Sequence, residues 1–497
     1  MAADGRITTP VYPMSPATPI TLSVPTTSRA AGCAGETEAR RWFGLALGSL
    51  VLAGLLSLTL VIGRLPFLGW LFTDPLFFRR ALVVHVDLAI VVWFQAGALA
   101  FLALALGPRL PRLPAAAAFG LAATGVIGLL VGAVMPGAEP VLSNYVPVID
   151  HPVFFLGLVC WFTGVALFCL LALATPARTD AQALNPGTVA ALRAAAAANV
   201  IAIFTFAAAW RTTPDAPAIA YYELVFWGGG HVLQAANVAA MLGLWLHLVH
   251  RWTGQVALGP GVVTALMLAL VLPELVLLPL ALEGTTHSAY FSMATLLMRW
   301  TIFPVTLVAL AAIARHLWRR RSELDGRDYR CAGLAGSAAL TMLGFLLGAL
   351  IRGSSTLVPG HYHCAIGAVT LALMTAAYDF MPAVSPAGSA PTSTRRARLQ
   401  LLLFGGGQAV FGLGFSLAGA YGLGRKQYGS EQNVRSLGEY LGLSVMGLGG
   451  VVAVAGGLFF LAVMLRQAGA WRRASRPASS ISHEPKTQNA PLAKVAR

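Results

Sequence analysis

Charged residues are scarce in this sequence. Asp, Glu, Lys and Arg make up only 11% of its 497 residues, whereas 57% of the residues are hydrophobic. This composition excludes an ordinary soluble domain and indicates a polytopic membrane protein. Acidic residues are rarer than basic ones: the sequence has 19 Asp and Glu and 34 Lys and Arg, which gives a net charge of +15.

Cysteine motifs are also missing. The five cysteines form no CxxC, CxxCH or zinc-type spacing, being scattered at Cys33, Cys160, Cys169, Cys331 and Cys364. The chain therefore attaches no c-type haem covalently and has no thiolate metal site. Residues 1–42 hold no apolar core of signal-peptide type, and we expect them to form a disordered cytoplasmic tail.

Twelve apolar stretches are long enough to span a membrane. They predict a membrane domain over residues 43–466, followed by a second disordered cytoplasmic tail over 467–497. Basic residues concentrate on the side of the N-terminus, for example in Arg319-Arg320-Arg321, which places both termini in the cytoplasm. The positive charge is thus a topology signal, and it implies contact with lipid rather than with nucleic acid.

The tenth span begins with an unusual pair, His361 and His363, in the stretch VPGHYHC. Two residues along an α-helix correspond to a rotation of about 200°, so the two imidazoles point to nearly opposite sides. A buried histidine is costly unless it is paired, hydrated or bound to metal. One helix could therefore hold two separate metal centres, the alternative being two satisfied polar residues.

Two other spans carry histidines that we expect to be buried. His85 starts the second span, and Asp87 beside it is expected near water at the helix end, the alternative being a hydrogen bond to His85. His231 in the sixth span follows three consecutive glycines, Gly228, Gly229 and Gly230. Glycine in a helix costs about 1 kcal/mol against alanine, so the run suggests close approach of a bulky group, either a haem face or a neighbouring helix.

The end of the seventh span places Glu283 and His287 four residues apart. On a continuous helix this spacing puts both side chains on one face. They could bind one metal together, or they could form a hydrogen-bonded pair at the helix end.

The outer loop before the last span contains Arg425 and Lys426. These cations suit carboxylates such as haem propionates at the water boundary, although ordinary interfacial snorkelling is the alternative. The topology brings His85, His287, His361 and His363 near outer helix ends, with His231 deeper. A secondary transporter would also suit twelve spans, but no clear internal repeat is visible.

These features resemble the catalytic subunit I of the haem–copper oxidase superfamily, above all B-type oxygen reductases in the stretch Val358–His363. The resemblance covers the twelve-span core and implies an all-α fold in that subunit's arrangement. It implies that His85 and His363 ligate a low-spin haem. His361 would hold the high-spin haem of the active site.

The resemblance departs from the family at the second active-site metal. His231 and His287 match two of its three histidines, but position 286 is Thr. The tyrosine that many oxygen reductases carry four residues after the sixth-span histidine is Ala235 here, and Tyr290 is a candidate substitute.

These losses favour reduction of NO to N2O, with non-haem iron held by His231, His287 and Glu283, or with Glu223 supplying the carboxylate. Copper and O2 reduction, as in a cytochrome oxidase, are the alternative. The family further implies electrons from a partner subunit, from cytochrome c or a cupredoxin, or from quinol. We expect the protein in a bacterial-type cytoplasmic membrane.

Overall fold

The computed structural model describes residues 33–71, 74–180, 184–384, 393–427 and 431–474. Within these ranges, twelve helices are long and apolar enough to cross a membrane. The predicted all-α, twelve-span fold is confirmed. The helices, α1–α12 in chain order, are Ala34–Arg64, Pro75–Arg109, Arg112–Val134, Pro152–Ala174, Pro186–Thr212, Ala218–Thr253, Pro260–Glu283, Ser288–Arg319, Tyr329–Ala349, Leu357–Val384, Thr394–Ala420 and Leu437–Ala474.

The first and last helices are longer than predicted. Residues 34–42 and 467–474, which we assigned to disordered tails, are helical. In α1, Arg41 forms a 2.7 Å salt bridge with Glu38 one turn earlier, which supports the helix before the apolar stretch begins. The rest of the predicted tails, residues 1–32 and 475–497, lies outside the described residues.

Several helices start at strong N-terminal signals. In α2, α4 and α5 a proline opens the helix, where its missing N–H costs nothing. The residue before it, Asp74, His151 or Asn185, accepts a hydrogen bond from the N–H two positions later, which caps an otherwise unpaired donor.

Three helices are interrupted inside the membrane domain. A π-helical segment, Asp87–Val92, follows His85 in α2, and another, Met298–Ile302, lies in α8. In α7 the segment Leu272–Val276 is 3₁₀-helical around Pro273, because proline has no N–H to continue the ladder. π-Segments often occur at functional sites, since they redirect the side chains around them.

Three helices lie at the centre of the bundle. The most apolar stretches of α2, α6 and α10 are 89%, 83% and 78% buried, against 56% or less for the other nine. These are the helices that carry His85, His231 and the His361–His363 pair. Among these four histidines His231 is buried, whereas His85, His361 and His363 are half-buried.

A short hairpin lies between α3 and α4. Strand β1, Glu139–Val141, pairs antiparallel with β2, Val148–Asp150, with Val141 opposite Val148. The connection between them carries Asn144 and Tyr145.

Candidate active site

His361 and His363 face different neighbours. The Nδ1 atom of His361 lies 2.7 Å from the carbonyl oxygen of Gly344 in α9. The ring of His363 instead lies on the α11 side, with its centroid 4.6 Å from that of Phe411. Both residues belong to the continuous helix α10, so the predicted divergence of the pair is what the structure shows.

His85 lies near His363. Its Nδ1 atom is 2.8 Å from the carbonyl oxygen of Ala53 in α1, and the two imidazoles are close enough to interact electrostatically. Asp87, expected near water, is instead 1% exposed, and within the described part of the chain neither of its carboxyl oxygens has a hydrogen-bond partner. The π-helical segment that begins at Asp87 turns this side chain into the core.

The hydrogen bonds fix the chemistry of these imidazoles. A carbonyl oxygen can only accept, so Nδ1 carries the hydrogen in both His85 and His361. In a neutral ring the lone pair is then on Nε2, the atom free to bind a metal, and a backbone carbonyl on the other nitrogen is the usual support of a metal-bound histidine. His85 and His361 therefore fit the role of haem ligands, and His363 fits by its position beside His85.

His231 has both ring nitrogens engaged. Nδ1 lies 2.8 Å from the carbonyl oxygen of Trp227, one turn earlier in α6. Nε2 lies 2.9 Å from the hydroxyl of Tyr145, although the two residues are far apart in the chain. His231 is 3% exposed. Tyr145 was not among the predicted site residues.

The glycine run before His231 accommodates three aromatic rings. A Cβ atom would lie 2.6 Å from the Tyr290 ring at Gly228, 2.5 Å from Phe206 at Gly229 and 2.4 Å from Tyr145 at Gly230. Such distances are too short for a Cβ atom, so each glycine is required by a ring of another segment. The interpretation that these glycines make room for a haem face is wrong for this reason.

Tyr290 does not substitute for a tyrosine beside His231. Its hydroxyl accepts from the N–H of Gly228 at 2.9 Å and lies 3.2 Å from the carbonyl oxygen of Leu224. The Tyr290 hydroxyl thus accepts one hydrogen bond from the backbone of α6 and donates another to it. The tyrosine that touches His231 is Tyr145.

Glu283 and His287 are not one turn apart on one helix, as the spacing predicted. Helix α7 ends at Glu283, because Gly284 adopts φ +139°, and His287 is the N-cap of α8. Both side chains are exposed. Among the described residues, no three His, Cys, Asp or Glu side chains are gathered in a way that could hold a metal ion. The proposed set of His231, His287 and Glu283 therefore does not fit a second metal.

Glu223 is also engaged elsewhere. Its carboxylate accepts hydrogen bonds from the backbone N–H of Asn144, at 2.9 Å, and from the Asn144 side-chain amide. It fastens the loop next to Tyr145 instead of facing His231. The role of Glu223 as an iron ligand thus finds no support in the geometry.

Arg425 and Lys426 contact two other loops of the chain. Nζ of Lys426 donates to the carbonyl oxygen of Leu142 at 2.6 Å, and Nε of Arg425 donates to the Ser354 hydroxyl at 3.0 Å. Burial and the nearby Arg425 lower the pKa of Lys426, and Glu223 opposes them. Pairing of these cations with haem propionates stays a prediction.

The Tyr145 hydroxyl remains protonated at ordinary pH. Burial raises its pKa, the Glu223 carboxylate raises it further, and Arg425 acts in the opposite direction. A neutral phenol has a hydrogen to donate. The signal for this residue in the sequence was Gly230, directly before His231, which reveals that a bulky group approaches but not which one.

Comparisons with known proteins agree with this architecture. Residues 39–453 match the family described as Cytochrome C and Quinol oxidase polypeptide I. An uncharacterized protein of Aquifex aeolicus is 28% identical over 346 residues, which cover 68% of this chain and 83% of the relative. An uncharacterized protein of Rickettsia prowazekii is 25% identical over 488 residues, covering 85% and 94%.

A solved structure shares the fold. It is a cryo-EM structure of a haem–copper terminal oxidase dimer, similar with a TM-score of 0.65 and 15% identity over 88% of this chain and 84% of that chain. The family match extends over most of the sequence and includes every histidine discussed above. The chain therefore belongs to the cytochrome c and quinol oxidase polypeptide I family, and it is an integral membrane oxidoreductase of the haem–copper superfamily.

Proposed function

We propose that this protein is a terminal reductase that binds two haems, one between His85 and His363 and one on His361. The observation that supports this assignment is the arrangement of the imidazoles. Two of them carry their hydrogen on Nδ1, bonded to a backbone carbonyl, and the pair on α10 diverges to two sides. Haem supplies a one-electron redox couple and an iron that binds a diatomic gas.

The chain's own residues orient these ligands. Ala53 and Gly344 hold the rings of His85 and His361 from α1 and α9. Phe411 packs edge-on against His363, with an angle of 68° between the ring planes, which restricts its rotation. Because His361 and His363 are separated by one residue, α10 connects the two ligand positions by a short covalent path.

We propose NO as the substrate, two molecules of which are reduced to one N2O and one water. This reaction consumes two electrons and two protons, whereas reduction of O2 to water takes four electrons at one site. The surroundings of His231 support the two-electron reduction of NO, because His287 and Glu283, the other predicted ligands of a second metal, do not lie with His231. No step of our proposal uses a second metal, so the choice between iron and copper does not enter it.

One observation favours O2 reduction as the second candidate. The Tyr145 hydroxyl lies 2.9 Å from Nε2 of His231, and a tyrosine beside this histidine is a feature that the resemblance associates with oxygen reductases. Position 235, where that family carries it, is Ala in this chain. Tyr145 approaches from the loop between β1 and β2 instead.

Electrons must come from outside the chain, because no CxxCH motif is present for covalent haem c. A partner subunit, cytochrome c, a cupredoxin or quinol would deliver them. We place the protein in a bacterial cytoplasmic membrane with both termini inside, in keeping with the basic segment Arg319-Arg320-Arg321.

The test begins with an optical spectrum of the purified, reduced protein and a haem assay. Two haems per chain are expected, followed by faster consumption of NO than of O2 and formation of N2O. Faster consumption of O2, with water as product, would favour O2 reduction as the function. Protein without haem would refute both.

A further inference from the structure

The tautomer of His231 follows from its partners. Trp227 offers a carbonyl oxygen to Nδ1, and a carbonyl cannot donate. Nδ1 therefore carries the hydrogen, and Nε2 presents its lone pair. The Tyr145 hydroxyl, 2.9 Å away, donates to that lone pair. Any other group that binds Nε2 of His231 must first displace Tyr145.

The ring of Tyr145 is held in one place. It lies against Gly230, where a Cβ atom would be only 2.4 Å from Cγ of Tyr145. The Trp227 ring stands edge-on to it at 5.8 Å between centroids. The backbone of Tyr145 has φ +66°, a conformation that non-glycine residues adopt at a cost and that persists only where the surroundings impose it.

The surroundings that impose it are two charged side chains. Glu223, two turns before His231 in α6, binds Asn144 through both carboxylate oxygens. Lys426, after α11, donates to the carbonyl oxygen of Leu142 at 2.6 Å. Within the loop, the Ser143 hydroxyl donates to the carbonyl oxygen of Val146 at 2.7 Å. The residues on both sides of Tyr145 are thus fastened.

We propose that Tyr145 is a positioning residue of the reaction centre, which holds Nε2 of His231 by a hydrogen bond, and that Glu223 and Lys426 fasten its loop for this purpose. The inference rests on the proposed function and deepens it, since it takes His231 to belong to the gas-reducing site. It explains in one arrangement why Gly230 has no side chain, why Tyr145 has a positive φ and why two charged residues contact this loop.

The primary test is solid-state NMR of the protein with ¹⁵N-labelled histidine in lipid bilayers. His231 is identified by the signal that disappears in His231→Gln. In the wild type we expect Nδ1 protonated and Nε2 accepting a hydrogen bond, and in Tyr145→Phe we expect the Nε2 resonance to shift. Tyr290→Phe is the matched control, because it removes a buried hydroxyl that contacts the backbone of α6 at Gly228 and Leu224 without touching His231, and the resonance should stay in place.

A second pair of variants covers the case in which Tyr145→Phe does not fold. Glu223→Ala should shift the same Nε2 resonance by releasing Asn144, whereas Glu223→Gln keeps an acceptor and should restore it. An unchanged resonance in both Tyr145→Phe and Glu223→Ala would overturn the inference, and so would a metal bound to Nε2 in the wild type.

Kinetics provide a readout that a purely structural role would not change. The loss of one hydrogen bond of about 1 kcal/mol at the reaction centre should lower kcat about fivefold in Tyr145→Phe, with KM unchanged. Because the NMR signal does not require turnover, failure of the proposed function and failure of this inference remain distinguishable.

Discussion

The two sides of the histidine cluster differ in how they are built. On the haem side, His361 and His363 lie in one unbroken helix, and His85 comes from the enclosed helix α2. On the other side, His231 meets a tyrosine from a loop, while His287 lies beyond a helix end. Ligands in one continuous helix keep the spacing that the helical period gives them, but ligands across a turn do not.

The difference shows which residue roles can be carried over from the family to this chain. His85, His361 and His363 keep the family's pattern, and two of them, His85 and His361, also have the backbone carbonyl partner that supports a metal-bound histidine. The residues predicted to bind a second metal match the family by sequence order alone. Gly284 ends helix α7, so His287 does not follow Glu283 on the same helix face. Agreement in order is therefore weaker evidence than agreement in order and in hydrogen bonding.

The largest effect is expected from His363→Ala, which removes a proposed ligand of the low-spin haem. The low-spin haem should be lost completely, as measured by the reduced optical spectrum and a haem assay. His316→Ala, in the last turn of α8, is the control and should leave both unchanged. A full low-spin spectrum in His363→Ala would refute the assignment of this side.

Gly230→Ala tests the tyrosine side. The new methyl group would lie 2.4 Å from Tyr145, and we expect overpacking to lower the free energy of unfolding by about 1–3 kcal/mol. Gly406→Ala is matched, because nothing lies within 4 Å of its Cβ position, and there alanine should be neutral or stabilising. Thermal unfolding in the same detergent measures both. Equal stabilities would mean that the Tyr145 ring does not lie on Gly230.

Lys426→Met should loosen the loop that carries Tyr145. Loss of its hydrogen bond to Leu142, about 1 kcal/mol, should speed amide hydrogen exchange in residues 138–150 about fivefold. Arg425→Met is the neighbouring control, since Arg425 binds Ser354 instead, and exchange in this loop should not change. Faster exchange in both variants would show that the two cations act only as general surface charge.

The smallest effect is expected from His287→Ala and Glu283→Ala. Both side chains are exposed and neither is gathered with His231, so haem content and total metal content should equal those of the wild type. Elemental analysis by mass spectrometry decides this. A stoichiometric loss of iron or copper in either variant would restore the original three-ligand prediction and remove the difference between the two sides.

The helical repeat made part of the site predictable from sequence. It separates His361 from His363, and hydropathy identifies the twelve spans, because both depend on neighbouring residues along one helix. The run Gly228, Gly229 and Gly230 indicated that bulky groups approach the helix. The sequence did not identify these groups, which are three aromatic rings from other segments. Side chains that approach from elsewhere in the chain leave no periodic trace in the sequence.

The sequence alone determined that the protein is a bundle of membrane helices and that two imidazoles diverge from one helix. Both properties depend on residues close together in the chain: the length of each apolar stretch and the fixed pitch of the α-helix. Folding in three dimensions settled which partner each imidazole has. Tyr145 reaches His231 because a hairpin, a carboxylate of α6 and a lysine after α11 converge on one loop, and no single segment specifies that convergence.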